Sequence, residues 1–169
     1  VYIDGNFCMV GAPWSHQRKG AVYVYLFDGI DWVEEQKLTA SDEFPDNYFG
    51  YSVCLNGDIC VVGTMARVDN GSVYIFRYNG SSWVEGQKLP LPAEARSFGS
   101  GVAVEKSSFG GIDYCIVGDP GVLIDDMPRG AAFTYWYDSG TGSWQFGQKL
   151  TPSDYENANL FGRAISISG

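Results

Sequence analysis

The sequence predicts an all-β fold: a β-propeller segment of three four-stranded antiparallel blades, part of a larger propeller. Three observations predict it. The first is a pattern that recurs every fifty to sixty residues or so, the period of stacked supersecondary units that share cores with their neighbours. Its copies are Gly20-Ala21-Val22-Tyr23 with Trp32 and Gln36-Lys37-Leu38, then Gly71-Ser72-Val73-Tyr74 with Trp83 and Gln87-Lys88-Leu89. The last copy is Gly130-Ala131-Ala132-Phe133 with Trp144 and Gln148-Lys149-Leu150. Second, each copy holds four short apolar runs separated by turn signals, the spacing of a four-stranded antiparallel unit. Third, the run 21–27 is apolar on both alternating faces, whereas a sheet with one wet face shows a polar residue at every second position. Sheets stacked around an axis cover both faces. A two-sheet sandwich also does so, but it does not demand near-identical motifs at a regular interval.

Taken in order, repeat one covers about 1–48, repeat two 49–97 and repeat three 98–160, and 161–169 opens a fourth. In repeat two the strands are expected at 52–55, 59–62, 72–78 and 83–89. Asn56-Gly57 joins the first pair, because that dipeptide accepts positive φ at both turn positions. Residues 78–82 turn the third strand into the fourth, and no segment carries a sustained helical period. Val1–Gly5 and Ile165–Gly169 both align with Val53–Gly57, so the chain stops at the phase where it starts. Closed propellers usually need four or more blades. The open flanks are therefore expected to meet neighbouring blades of the same polypeptide, with self-assembly of several copies as the alternative.

A formal net charge of −9, without a basic stripe, excludes nucleic acid as a partner. No apolar run is long enough to span a bilayer as a helix, so membrane insertion of this segment is not expected. Cys8, Cys60 and Cys115 occupy the same point of successive repeats, in strand-like surroundings, and read as buried small hydrophobes. Cys54 could face Cys60 across the Asn-Gly turn.

These motifs resemble the FG-GAP repeats of integrin α-chain propellers and, more closely, of the non-integrin members of that family. The Phe-Gly element stands at Phe49-Gly50, Phe98-Gly99 and Phe161-Gly162. The Gly-Ala-Pro element is intact at Gly11-Ala12-Pro13, altered at Gly63-Thr64-Met65 and partly restored at Gly118-Asp119-Pro120. Thr39-Ala40-Ser41-Asp42 and Thr151-Pro152-Ser153-Asp154 continue the likeness, while Pro90-Leu91-Pro92-Ala93 departs from it. The resemblance implies a parent propeller of about seven blades, often a cell-surface or secreted binding module. It also implies calcium sites between first and second strands, yet the turns at Asp4-Gly5-Asn6 and Asn56-Gly57-Asp58 are too short to wrap an ion. The third such loop, 105–113, has too few carboxylates. No metal and no cofactor is therefore expected in these repeats, although calcium elsewhere in a full-length protein fits the resemblance. Asp125-Asp126, and Asp42 with Asp46, read as solvated acidic loops in preference to weak cation sites.

Catalytic chemistry is not expected. His16, the one histidine, has no evident orienting partner, and no nucleophile elbow, phosphate loop or zinc-ligand spacing occurs. Glu34 and Glu35 are expected on opposite strand faces, unable to share a substrate. The connections say more. In an up-and-down unit the second and fourth connections emerge on one side, and these are the long, variable ones: 14–19, 64–70 and 120–129, with 39–48, 90–97 and 151–160. Rigid scaffolds carry function on such loops. Trp14, Arg18, Arg67, Asp69, Asp125, Asp126 and Arg129 are the candidate ligand contacts, Trp and Arg being favoured in hot spots. Asn70 and Asn79 head Asn-Gly-Ser sequences that fit N-glycosylation, though Asn-Gly-Ser is also plain turn chemistry. Trp32, Trp83 and Trp144, in register, are expected to pack blade against blade. The expected function is non-enzymatic recognition or adhesion, outside the cell or at its surface, with a protein or glycan ligand. The alternatives are a structural subunit of a fibre, sheath or appendage, and an accessory domain of a secreted enzyme.

Overall fold

A computed structural model of the chain describes residues 1–65, 70–107, 111–154 and 160–168. Each repeat folds as its own four-stranded antiparallel sheet. The first contains β1 (Tyr2–Asp4), β2 (Phe7–Gly11), β3 (Val22–Phe27) and β4 (Trp32–Leu38), side by side in chain order. The second contains β5 (Ser52–Asn56), β6 (Ile59–Gly63), β7 (Val73–Tyr78) and β8 (Trp83–Lys88) in the same order. The third is formed by β9 (Gly101–Glu105), β10 (Tyr114–Asp119), β13 (Ala131–Asp138) and β14 (Ser143–Leu150). A small hairpin, β11 (Leu123–Ile124) and β12 (Met127–Pro128), is inserted between β10 and β13. A single turn, α1 (Ser15–Arg18), interrupts the strands in the first repeat.

The sheets stack face to face, and the middle one shows why its strands are apolar on both sides. Alternate residues of a strand point to opposite faces. Val73 and Ile75 of β7 join the core shared with the third sheet, while Tyr74 and Phe76 join the core shared with the first. β6 divides likewise, Ile59 and Val61 one way, Cys60 and Val62 the other. A two-sheet sandwich has no such middle layer. The stack is open, and its first face is bare: Trp83 and Trp144 are 2% exposed at the two internal junctions, but Trp32 is 42% exposed. The expected blade-packing role therefore holds for Trp83 and Trp144, and among the described residues no sheet covers Trp32.

The repeated motifs are the hardware of the junctions. The Phe49, Phe98 and Phe161 amides donate to the carbonyls of Lys19, Asn70 and Arg129 at 3.0, 2.9 and 3.0 Å. Each phenylalanine forms a parallel bridge to the glycine that opens the preceding third strand, Gly20, Gly71 or Gly130. Gly50 follows with φ +87°, and its carbonyl lies where a Cβ on Gly11 would project. Gly63 meets the Gly99 carbonyl, and Gly118 the Gly162 carbonyl, in the same way. Here glycine is required by close backbone approach as well as by positive φ.

The outer strands are less regular than strict alternation assumes. Val24 pairs with Gln36 and Tyr25 with Glu34, so Glu35 is the extra residue of a β-bulge. Gly86 occupies the same place in β8, between Glu85 and Gln87. A bulge re-aims the strand, and Gln36 and Gln87 reach across to the next sheet. All four cysteines are thiols; Cys54, Cys60 and Cys115 are buried and Cys8 half-buried, and no bridge joins Cys54 to Cys60. Burial pushes the Cys60 and Cys115 thiols well above their ordinary pKa, which leaves them inert.

Candidate functional site

The second and fourth connections do meet on one side of the stack, and in the first unit they brace each other. Ser15 to Arg18 is not a right-handed turn: His16, Gln17 and Arg18 carry φ of 49°, 59° and 65°. For non-glycine residues each such step is unfavourable by about 1–2 kcal/mol, so the surroundings must hold it. They do so through the backbone. Tyr48 and Phe49 donate their amides to the Arg18 and Lys19 carbonyls at 2.8 and 3.0 Å, and Gly20 donates to Ser15 at 3.1 Å. Side chains add ion pairs, Arg18 to Asp46 at 2.6 Å and Lys19 to Glu43 at 3.4 Å. The Trp14 ring meets buried Tyr48 edge-on at 5.0 Å but stays 62% exposed, so it covers its own loop and still presents a face to solvent.

In the third unit Asp125 and Asp126 form the two-residue tip of the β11–β12 hairpin, both at positive φ (52° and 60°), the geometry of a type I′ turn. Arg129 lies at the hairpin base, 3.8 Å from the Asp125 carboxylate and mostly buried. The candidate contacts thus form two separate groups: Trp14 and Arg18 on the first unit, Asp125, Asp126 and Arg129 on the third. Arg67 and Asp69 lie outside the described residues. Asn70 and Asn79 are exposed at turns. The Asn79 side-chain oxygen accepts from the Ser81 and Ser82 amides, both at 3.0 Å, in an Asx turn.

The acidic loops are occupied by protein donors. Asp42 accepts from Tyr74 at 2.7 Å and from Lys88 at 2.8 Å, and Asp46 holds Arg18. Among the described residues no cluster of His, Cys, Asp or Glu is arranged to hold a metal ion. The ring of His16 has Lys37 3.3 Å away and no carboxylate to orient it among the described residues.

Two features of this side were not singled out from sequence. Asp119 stands where the first repeat has Ala12 and the second Thr64, and it is fully buried. Its carboxylate accepts from the amides of Arg96, Ser97 and Gly121 at 2.9, 2.8 and 3.0 Å, clamping a fourth connection of one unit to a second connection of the next. Burial pushes its pKa up against the pull of those amides. The legible signal was the departure from Gly-Ala-Pro. The second feature is a cavity of about 320 Å³ lined by Tyr51, Ser97, Ser100, Pro128, Leu160 and Arg163, among others. Tyr51, Ser100 and Arg163 each follow a Phe-Gly pair, so the junction motif itself delivers one variable side chain to this hollow. The set brings an exposed guanidinium, an aromatic ring and two hydroxyls together with Pro128 and Leu160, groups suited to holding a ligand.

No helix among the described residues is long and apolar enough to cross a membrane. No curated protein matches the chain. Residues 32–76 match the family described as FG-GAP repeat, a type of module that is typically non-catalytic. The matched span runs from Trp32 through the Phe49-Gly50 junction to Phe76, and the same junction is rebuilt at Phe98-Gly99 and Phe161-Gly162. Residues 32–76 thus match the FG-GAP repeat, and the chain folds as stacked four-stranded antiparallel sheets consistent with the blades of a propeller.

Proposed function

We propose that this chain is a non-enzymatic recognition module that works outside the cell or at its surface and binds a protein or glycan ligand through the side bearing the second and fourth connections. One observation carries the reading: the variable connections on that side are braced, by the Arg18–Asp46 and Lys19–Glu43 pairs in the first unit and by the buried Asp119 clamp, whose partners Ser97 and Gly121 line the same hollow as Tyr51, Ser100 and Arg163. A surface held this way loses little conformational freedom on binding. FG-GAP repeats typically occur in extracellular or cell-surface proteins, which supports the location. Trp14 and Arg163 would supply the aromatic and cationic anchors. Screening the folded protein against glycan and protein arrays, then repeating the screen with Trp14→Ala and Arg163→Ala, tests it. A ligand whose binding falls about tenfold or more in either variant is expected. A ligand held equally by both variants, or competed by no change on this side, would place recognition elsewhere.

A further inference from the structure

An asparagine followed by glycine carries a side-chain amide open to attack by its own chain, because glycine sets no Cβ beside the next amide nitrogen. The sequence holds three such pairs, Asn56-Gly57, Asn70-Gly71 and Asn79-Gly80, and the fold treats them differently. At the first, both reacting nitrogens are engaged. The Gly57 amide donates to Asp4 at 2.6 Å, and the Asn56 side-chain nitrogen, which would have to leave, donates to Glu105 at 3.1 Å. At the second, the backbone is fixed on both sides of the bond: the Asn70 carbonyl accepts from Phe98 at 2.9 Å, and Gly71 bridges to Phe98. Asn79-Gly80 is exposed in the turn between β7 and β8. Nothing lies within 4 Å of where a Cβ on Gly80 would project. Among the described residues neither the Gly80 amide nor the Asn79 side-chain nitrogen has a hydrogen-bond partner. The Asn79 side-chain oxygen instead takes three donors: the Ser81 amide at 3.0 Å, the Ser81 hydroxyl at 2.9 Å and the Ser82 amide at 3.0 Å. Donors gathered on one carbonyl oxygen stabilise the oxyanion of a tetrahedral intermediate.

We propose that Asn79 is a self-modification site, at which this turn promotes loss of the side-chain amide. The Gly80 amide nitrogen gives its proton to solvent base and attacks the Asn79 Cγ, and negative charge gathers on Oδ1 under the Ser81 and Ser82 donors. Collapse breaks the Cγ–Nδ2 bond, and that nitrogen leaves as ammonia with a proton from solvent. Water then opens the cyclic imide. Hydrolysis of the bond from Cγ to the Gly80 nitrogen gives aspartate. Hydrolysis of the main-chain bond gives isoaspartate, with the backbone rerouted through the side chain. The aspartate product suits the turn. Asp28 heads the equivalent turn of the first unit and accepts from the Ile30 and Asp31 amides at 2.8 and 2.9 Å, bonds that hold its carboxyl below the ordinary carboxylate range. Asp138 heads that of the third and accepts from the Gly140 amide at 2.9 Å. Deamidation thus converts the one asparagine among the three turns into the residue that both neighbours carry. Isoaspartate instead lengthens the connection between the paired strands β7 and β8. Either product ends the fit of Asn79-Gly80-Ser81 to N-glycosylation.

Peptide mapping by mass spectrometry tests this, on the whole chain made in a host that adds no N-glycans and held in mildly alkaline buffer. The mass gain of an amide turned to an acid is expected at Asn79 about tenfold or more faster than at Asn56 or Asn70. Electron-transfer fragmentation tells isoaspartate from aspartate. In guanidinium the three pairs lose their structural differences and should react alike, with Asn79 slower than in the folded chain. Ser81→Ala removes one donor to Oδ1 at an exposed position and should slow the folded reaction about threefold or more, the worth of one hydrogen bond. Its rate in guanidinium should match the wild type, and unchanged circular dichroism separates a lost donor from a lost fold. The proposal is overturned if Asn56 or Asn70 reacts as fast as Asn79 in the folded chain, if folded Asn79 is no faster than unfolded, or if Ser81→Ala leaves the rate unchanged. The turn lies on the side away from the variable connections, so no outcome bears on ligand binding there.

Discussion

Asp42 shows what one residue contributes to a junction. Partial burial opposes its ionisation, but the hydrogen bonds from Lys88 and Tyr74 outweigh that and hold the carboxyl below the ordinary carboxylate range. Lys88 is raised in turn, burial working against its charge while Asp42 and Tyr74 favour it. A carboxyl whose folded pKa is depressed adds stability above its unfolded value, about 3.9, and loses it as pH falls through the folded value. The lysine contribution is present below its unfolded value, about 10.4, and fades as pH rises through the folded one. Asp42→Asn should therefore melt below the wild type from neutral pH down to about 4, by no more than about 1 kcal/mol because the pair is half-exposed. The gap should close as the solution becomes more acidic. Melting both proteins side by side cancels the other carboxyls, and a gap that persists unchanged to pH 2 would remove the ion pair as its cause. None of this was visible along the chain: Asp42 reads as an acidic loop residue until the fold brings Tyr74 and Lys88 to it.

Among elements, legibility follows length and repetition. Strands such as β7 announce themselves through Val73, Tyr74, Ile75 and Phe76. The hairpin expected at Asn56-Gly57 forms, but one residue later: Asn56 pairs with Ile59 at the end of β5, the tip is Gly57-Asp58, and Gly57, not Asn56, carries positive φ (+59°). The side carrying the variable loops follows from strand parity alone. The β11–β12 hairpin escapes because strands of two residues carry no period, and the left-handed turn at His16–Arg18 escapes because Tyr48, thirty residues on, helps to hold it. The bulge at Glu35 likewise depends on where Gln36 must reach. The hairpin tip gives a test of the turn assignment. Asp125 and Asp126 both occupy a conformation that Asn-Gly adopts with less strain. The paired change Asp125→Asn and Asp126→Gly should raise stability by up to about 1 kcal/mol. It sacrifices an ion pair to Arg129 whose carboxylate is 75% exposed and so contributes little. A higher urea midpoint at unchanged slope is the expected reading; a lower one would mean that the aspartates hold the hairpin through contacts other than its turn.

At the scale of the molecule, stability should be distributed by junction, because each unit of a stacked array packs only against its neighbours. Trp83 and Trp144 are both buried where sheets meet, and each backbone is clamped by a glutamine from the preceding sheet. Truncating either to alanine removes a large side chain from a filled core and should cost about 3–5 kcal/mol. Trp32 has the same place in its repeat and the same flanking strand, but it is 42% exposed; its ring meets Phe27 5.3 Å away, and among the described residues no sheet lies across from it. Trp32→Ala should therefore cost well under half as much, on the order of 1 kcal/mol. Urea titration of the wild type and the three variants makes the comparison. The ordering is what matters: intrinsic strand or aromatic preference would make the three substitutions alike, since the local sequence is alike. Only a stack in which burial comes from the next sheet separates Trp32 from the other two.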